Sequence, residues 1–329
     1  MIELIGASEG NGFTLFLLSN GTVYSSGAND YSQLGLGEIS HFYLDKPRKI
    51  PTLTNIITVS AGDSHSLALS KEGRVYGWGK NDYFQACEDL PNNAVTSPTL
   101  IPSLKNIISV SASLDYSLAL DSNSSVWQWG SSEPPFDPIK LPGLSNIVWV
   151  GAADIFSLAL DNSGRLFKWE SPSGFNKRLL FPKQPEPLLF AKKILAVSVG
   201  VGHALFQTID GKLYGFGENY NFCLTESSEV EIYESPVELL PKKPLDIKAF
   251  VAGKTFSAIL TRNDKVYLWG TTSELNSDLT SETYKSPILL RIKNKMFKQG
   301  LFSTYTKFPP LPKETENAWR KILTNTIAL

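Results

Sequence analysis

Short apolar runs of four or five residues alternate with polar turns along most of the chain, and they follow a repeated phrase. Ser66-Leu67-Ala68-Leu69-Ser70-Lys71-Glu72-Gly73-Arg74-Val75-Tyr76-Gly77-Trp78-Gly79 has counterparts starting at Thr14, Ser117, Ser157, Ala204 and Ser257. The anchors 14, 66, 117, 157, 204 and 257 are therefore 52, 51, 40, 47 and 53 residues apart. Seven positions after each anchor stands a turn residue: Gly21, Gly73, Ser124, Gly164, Gly211 and Asp264. Two strand-length apolar runs around such a turn read as a β-hairpin, and no helical period competes with that reading.

A further short strand precedes each hairpin and ends in small residues, as in Ile57-Thr58-Val59-Ser60-Ala61-Gly62 and Ile108-Ser109-Val110-Ser111-Ala112. After each hairpin comes a variable loop and then a segment led by Pro47, Pro98, Pro138, Pro187, Pro236 or Pro287. Proline cannot donate to a sheet ladder, so these segments suit an outer edge. Repeats of about 50 residues with three or four short strands each are the pattern of a β-propeller. The chain is expected to be an all-β protein with six recognisable blades, or seven if Leu301 to Phe308 forms a degenerate one. Residues 1 to 7 are expected to close the ring by supplying an inner strand to the last blade. The propeller is assigned to 1–295 and a linker with tail to 296–329. In that tail Trp319, Ile322, Leu323, Thr326 and Ile327 fall on one helical stripe. The stripe predicts a short helix, either a cap on the propeller or a docking or export signal.

Composition changes this picture only by exclusion. Of 329 residues 42% are hydrophobic, and 31 Lys plus Arg against 32 Asp plus Glu give a net charge of -1. That balance makes no general case for nucleic acid or an anionic membrane, although it leaves local basic patches open. Cys87 and Cys223 are too few for a disulfide framework or a cysteine zinc cluster, and three histidines are too few for a histidine-rich site, so no metal is expected. No apolar run has the length of a membrane-spanning helix, and a cytoplasmic setting is expected.

Large aromatics recur at one position, as Trp78, Trp129, Trp169, Phe216 and Trp269, which indicates packing between blades. The residue before each anchor is Phe13, His65, Tyr116, Phe156, His203 or Phe256. A catalytic imidazole could not be exchanged for phenylalanine in a sibling blade, so His65 and His203 read as structural. Spacing reveals neither a nucleophile with its base nor a phosphate loop, and no catalytic residue is assigned.

The second copy, Gly62-x-x-His65-Ser66-Leu67-Ala68-Leu69 followed by Gly73-x-Val75-Tyr76-x-Trp78-Gly79-x-Asn81 and Gln85, resembles the repeat of the regulator of chromosome condensation family. The first and second copies also carry the family's trailing loop, as Asn29-Asp30-Tyr31-Ser32-Gln33-Leu34-Gly35 and Asn81-Asp82-Tyr83-Phe84-Gln85. The resemblance covers roughly residues 1 to 292 and implies guanine-nucleotide exchange on a small GTPase, an activity that needs no cofactor. It implies a protein partner and a monomer or heteromeric complex, with no nucleic acid expected, since there is no basic amino-terminal arm. The family's wedge matches the shorter segment 131–138, whose candidates for partner binding are Glu133, Phe136 and Asp137. Asp63, Asp115 and Asp154, near the inner turns of three consecutive copies, are further candidates. The alternative is a non-catalytic scaffold that holds a partner protein. A nuclear site, or the host cytosol for a secreted bacterial effector, are the other locations the resemblance allows.

Overall fold

The computed structural model describes residues 2–38, 40–88, 94–130, 137–172, 184–240, 245–271 and 283–290. These residues build six four-stranded antiparallel sheets, each strand pairing with the next in sequence, and they are the blades of an all-β propeller fold. Blades 1 to 6 span 4–49, 56–100, 107–140, 147–187, 194–239 and 247–290. Two compact units are present, Met1–Asp161 with Phe167–Glu186 and Asn162–Leu166 with Pro187–Leu329.

Blade 2 shows how the phrase becomes structure. Its strands are Ile56–Ala61, His65–Ser70, Val75–Lys80 and Ala94–Leu100. Strand two is buried on both faces, which explains its unbroken apolar run. The hairpin turn needs a left-handed residue, and Gly73 has φ 75°. All six turn residues read from the sequence share that conformation, Ser124 (φ 63°) and Asp264 (φ 61°) included. Each first strand carries a bulge at its second residue, where the register slips between Ile56 and Thr58, or Ile247 and Ala249. Pro47, Pro98, Pro236 and Pro287 lie in fourth strands, which bond only to the third.

The core lies between neighbouring blades of each unit. Leu67, Leu69 and Val75 of blade 2 pack with Ile107, Val110 and Trp129 of blade 3, and Leu118 and Leu120 of blade 3 repeat this with Val150 and Trp169 of blade 4. In the other unit Leu205 and Leu213 of blade 5 meet Phe250, Ile259 and Trp269 of blade 6.

One expectation is corrected. The amino-terminal strand Leu4–Glu9 belongs to blade 1, paired with Phe13–Leu18, and blade 6 has four strands of its own. Each of the six described blades is built from four strands consecutive in sequence. The tail at 296–329, and the segment 301–308 considered for a seventh blade, lie outside the described residues.

Candidate partner-binding rim

In a four-stranded up-and-down sheet, the first turn and the connection between strands three and four leave at one end. The hairpin turn and the link to the next blade leave at the other. Asp63, Asp115 and Asp154 occupy the first turns of blades 2, 3 and 4, and Asp137 lies in the third-to-fourth connection of blade 3. The topology thus places all four at one end of their blades, in one compact unit. Glu133 and Phe136 lie outside the described residues.

The turns are stitched to one another by backbone. Asn11 N donates to Asp63 O at 3.1 Å, and Asp63 N donates to Ser113 O at 3.1 Å. Gly62 is required at this seam, because a Cβ there would lie 2.2 Å from Ser113 O. The aspartates are consequently held on a fixed backbone. Asp63, half-buried, accepts from Ser64 Oγ at 3.1 Å, and Asp154, also half-buried, accepts from Ser113 Oγ at 2.8 Å. Asp115 is buried, and its Oδ1 accepts from Lys80 Nζ at 3.1 Å and Gln85 Nε2 at 3.3 Å. Asp137 is exposed.

Lys80 is the functional candidate that sequence reasoning missed. Its ammonium lies 5.8 Å from the Tyr31 ring centroid and 5.6 Å from that of Tyr83, with Asp82 at 3.8 Å. Burial pulls its pKa down, but attraction to Asp115 and then Asp82 outweighs that, so the value rises and the amine stays charged. The available signal was positional. Lys80 directly follows Gly79, where the sibling copies have Ala28, Ser131, Ser171, Glu218 and Thr271.

The histidines form latches between blades. His65 Nε2 lies 2.9 Å from Ser117 Oγ, which donates to Gln85 O at 3.0 Å. His203 Nε2 lies 2.9 Å from Ser257 Oγ, which donates to Cys223 O at 2.7 Å. In the third copy Tyr116 OH reaches Ser157 Oγ at 2.8 Å. Because the serine proton is committed to a carbonyl, Nε2 must be the donor, and each imidazole is neutral. Burial lowers both histidine pKa values to about 3, with the Lys80 charge adding to the effect at His65. A nucleophilic serine needs its proton directed at the base and an open approach. Ser117 and Ser257 have neither, being fully buried with their protons on carbonyls. Cys223 is buried too, which pushes its thiol up to about 12. Among the described residues no cluster of three or more His, Cys, Asp or Glu is arranged to hold a metal ion.

The trailing loops dip between blades. Asn29 Oδ1 accepts from Leu34 N at 3.0 Å, and Asn81 Oδ1 accepts from Ala86 N at 3.0 Å and Cys87 N at 2.9 Å. The carbonyls so placed, Gln33 O and Gln85 O, cap the indoles of Trp78 at 2.8 Å and Trp129 at 3.0 Å. A third copy of the loop, at Asn219, uses Oδ1 to accept from Leu224 N at 2.9 Å and Thr225 N at 3.0 Å. Cys223 stands there in place of the glutamine, which hid it from the sequence reading.

Comparison with known proteins agrees with this architecture. The regulator of chromosome condensation (RCC1) repeat model matches residues 20–69 and 72–120, and a second model of the same repeat matches 5–33 and 56–85. Protein pim1 of Schizosaccharomyces pombe is 30% identical over 151 residues, 40% of this chain and 28% of pim1. Probable E3 ubiquitin-protein ligase HERC6 of Homo sapiens is 37% identical over 138 residues, 40% of this chain and 13% of HERC6. The matched part thus spans less than a third of either relative. Prp20p of Saccharomyces cerevisiae, whose crystal structure was described with its binding properties to Gsp1p and histones, superposes with a TM-score of 0.74. That superposition covers 98% of this chain and 86% of Prp20p at 20% identity, and so speaks to the fold alone. The repeat model is matched in the first blades and its strand and turn pattern continues through blade 6, so this chain carries the regulator of chromosome condensation repeat over residues 20–69 and 72–120 within a propeller of the same fold.

Proposed function

We propose that this propeller binds a small GTPase through the rim bearing Asp63, Asp115, Asp154 and Asp137 and promotes release of its guanine nucleotide. The observation that carries the reading is the alignment of acidic first turns in three consecutive blades at the end from which segment 131–138 emerges. The carboxylates presented there, Asp137 exposed and Asp63 and Asp154 half-buried, compete for the cation and lysine that hold nucleotide phosphates, with Asp115 buried behind them. A surface that binds the nucleotide-free GTPase better than the loaded one lowers nucleotide affinity by the same factor. In this scheme Phe136 is the apolar tip of a short wedge, and Glu133 and Asp137 are its charges. No cofactor enters. The binding of Prp20p to Gsp1p is the precedent for a protein partner, and the proposed setting is the cytoplasm, or the host cytosol for a secreted effector.

A second reading, a scaffold without exchange activity, is favoured by the engagement of Asp115 with Lys80 and Gln85, which leaves that carboxylate committed within the protein. A binding assay against small GTPases in GDP, GTP-analogue and nucleotide-free states separates the two. Preference for the nucleotide-free state supports exchange, and equal binding supports the scaffold. Replacing Glu133, Phe136 and Asp137 together by Ala should abolish accelerated release of a fluorescent GDP analogue while leaving the melting transition unchanged. Release as fast as with the parent would remove the wedge from the scheme.

A further inference from the structure

The loops at the acidic end of blades 1 to 3 carry one sign of charge. The first turns 10–12, 62–64 and 113–116 and the third-to-fourth connections 30–39, 81–93 and 130–138 hold Asp or Glu in every blade and not one lysine or arginine. Blade 4 breaks the pattern, with Lys177, Arg178 and Lys183 in its connection, so the run belongs to blades 1 to 3. The cations seen to reach these loops come from flanking strands and are met by carboxylates. Arg48 lies 3.3 Å from Glu38, and Lys80 lies 3.1 Å from Asp115 and 3.8 Å from Asp82. The second group sets two carboxylates against one ammonium, which leaves it net negative.

Two tyrosines frame that group. The Lys80 ammonium lies 5.8 Å from the Tyr31 ring centroid and 5.6 Å from that of Tyr83, so both rings and both carboxylates are gathered about one atom. Tyr31 is 42% exposed, Tyr83 is half-buried and Asp82 is exposed, so the rings and that carboxylate border solvent together. The arrangement is fixed before any partner arrives. Tyr31 N donates to Gln33 Oε1 and Tyr83 N to Gln85 Oε1, each at 2.9 Å. The residue after each tyrosine turns the chain in the left-handed region, Ser32 at φ 64° and Phe84 at φ 59°. The third copy of the loop, in blade 5, has Glu218 and Asn221 in place of Lys80 and Tyr83, so the arrangement is particular to blades 1 and 2.

We infer that Tyr31, Tyr83 and Asp82 form a contact surface for an arginine-bearing basic segment of a protein partner. The lysine already placed among them shows which charge the group holds. A guanidinium suits the remaining surface better than a second ammonium, because it stacks flat on a ring face while its N–H fork reaches a carboxylate. Tyrosines on a pre-set loop bring contact area at little ordering cost. The surrounding negative loops favour the approach of a basic segment and oppose an acidic one. The inference rests on this end of the blades being the partner-binding side, as proposed above, and not on nucleotide exchange.

Fluorescence anisotropy of labelled hexa-arginine, hexa-lysine and hexa-glutamate peptides with the full chain tests it, with no GTPase present. The parent should bind hexa-arginine more tightly than hexa-lysine and should not bind hexa-glutamate. The double variant Tyr31→Ala, Tyr83→Ala should weaken hexa-arginine binding by about fivefold or more and remove the preference over hexa-lysine, with melting unchanged. Tyr31→Phe, Tyr83→Phe should bind like the parent, since the ring faces remain. Asp82→Asn should weaken binding of both basic peptides, and Glu72→Gln, at the hairpin turn of blade 2, should weaken neither. Absence of hexa-arginine binding by the parent, equal binding of hexa-lysine or hexa-glutamate, or an alanine double variant or Asp82→Asn that binds like the parent would each overturn the inference. Such a result leaves the exchange assay to decide its own reading, and failure of exchange leaves the tyrosine surface standing.

Discussion

Blades 2 and 3 meet one packing requirement by different means. The indole of Trp129 in blade 3 donates to Gln85 O, a carbonyl delivered by the trailing loop of blade 2. Blade 3 lacks that loop motif, and the indole of Trp169 in blade 4 donates instead to the side chain of Gln128, at 2.8 Å from Oε1. Gln128 occupies the repeat position of Gly77. Glycine is required at 77, because a Cβ would meet Ala86 O of the inserted loop at 1.8 Å. Between these two blades the position is thus empty where it admits a loop and filled where it replaces one, while blade 1 has Ser25 there, whose Oγ donates to Leu34 O of its loop at 2.8 Å. The second solution frees the connection between strands three and four of blade 3 from supplying an indole acceptor, and that connection is the one proposed here for recognition.

The largest effect is expected at the shared element of the two solutions. Trp78→Ala should lower stability by about 3–5 kcal/mol in denaturant unfolding, through lost burial and the cavity left behind, with Gln33 O keeping only its bond from Ser66 Oγ. A change within about 0.5 kcal/mol would mean that the indole does not hold the blades together. Acid unfolding compares the blades at another shared site, where blade 2 has His65 and blade 3 has Tyr116. The folded-state histidine pKa of about 3 lies below the unfolded value of 6.5, so neutral histidine favours the fold. That stability is fully present above pH 6.5 and is lost as pH falls towards 3, by up to about 1.4 kcal/mol per pH unit for each buried histidine. His65→Tyr, the choice made by blade 3, should flatten the acid limb. An unchanged limb would show that His65 does not set it.

The smallest effects sharpen the comparison most directly. Gly77→Ala should cost about 1–3 kcal/mol by forcing the loop of blade 2 outward. Gln128→Ala should cost about 1–3 kcal/mol by leaving the Trp169 N–H without its acceptor. The two are distinguishable by near-ultraviolet circular dichroism and limited proteolysis. Only the first should expose the loop at 81–88, and cleavage there in both variants would contradict the exchange of roles.

Much of the fold was legible because repetition supplies internal controls. The exchange of Phe, His and Tyr before the anchor already argued against catalysis, and the buried latches give the physical reason. The position of each hairpin turn followed from spacing, since a left-handed residue is needed at a fixed distance from the anchor. Other features depend on partners far away in sequence. Nothing local to Gln128 shows that it replaces a loop carbonyl, and nothing local to Lys80 shows that Asp115, 35 residues later, will hold its ammonium between two tyrosines. The placement of residues 1 to 7 went astray for a related reason, because the repeat phrase fixes the period but not where in its cycle the chain starts. For the candidate rim, the turns bearing Asp63, Asp115 and Asp154 could be located from spacing, whereas their burial and hydrogen bonding could not.

The latches also impose an order on biosynthesis. Each donor ring precedes its hydroxyl partner in the chain, His65 by 52 residues, Tyr116 by 41 and His203 by 54. A blade leaving the ribosome therefore holds an unpaired imidazole or phenol until its successor has been made. At about 5–20 residues per second that interval is roughly 2–11 s, long compared with the microseconds in which a hairpin forms. Blades 2, 3 and 5 should consequently each stay open to chaperones and proteases until blades 3, 4 and 6, respectively, have been made.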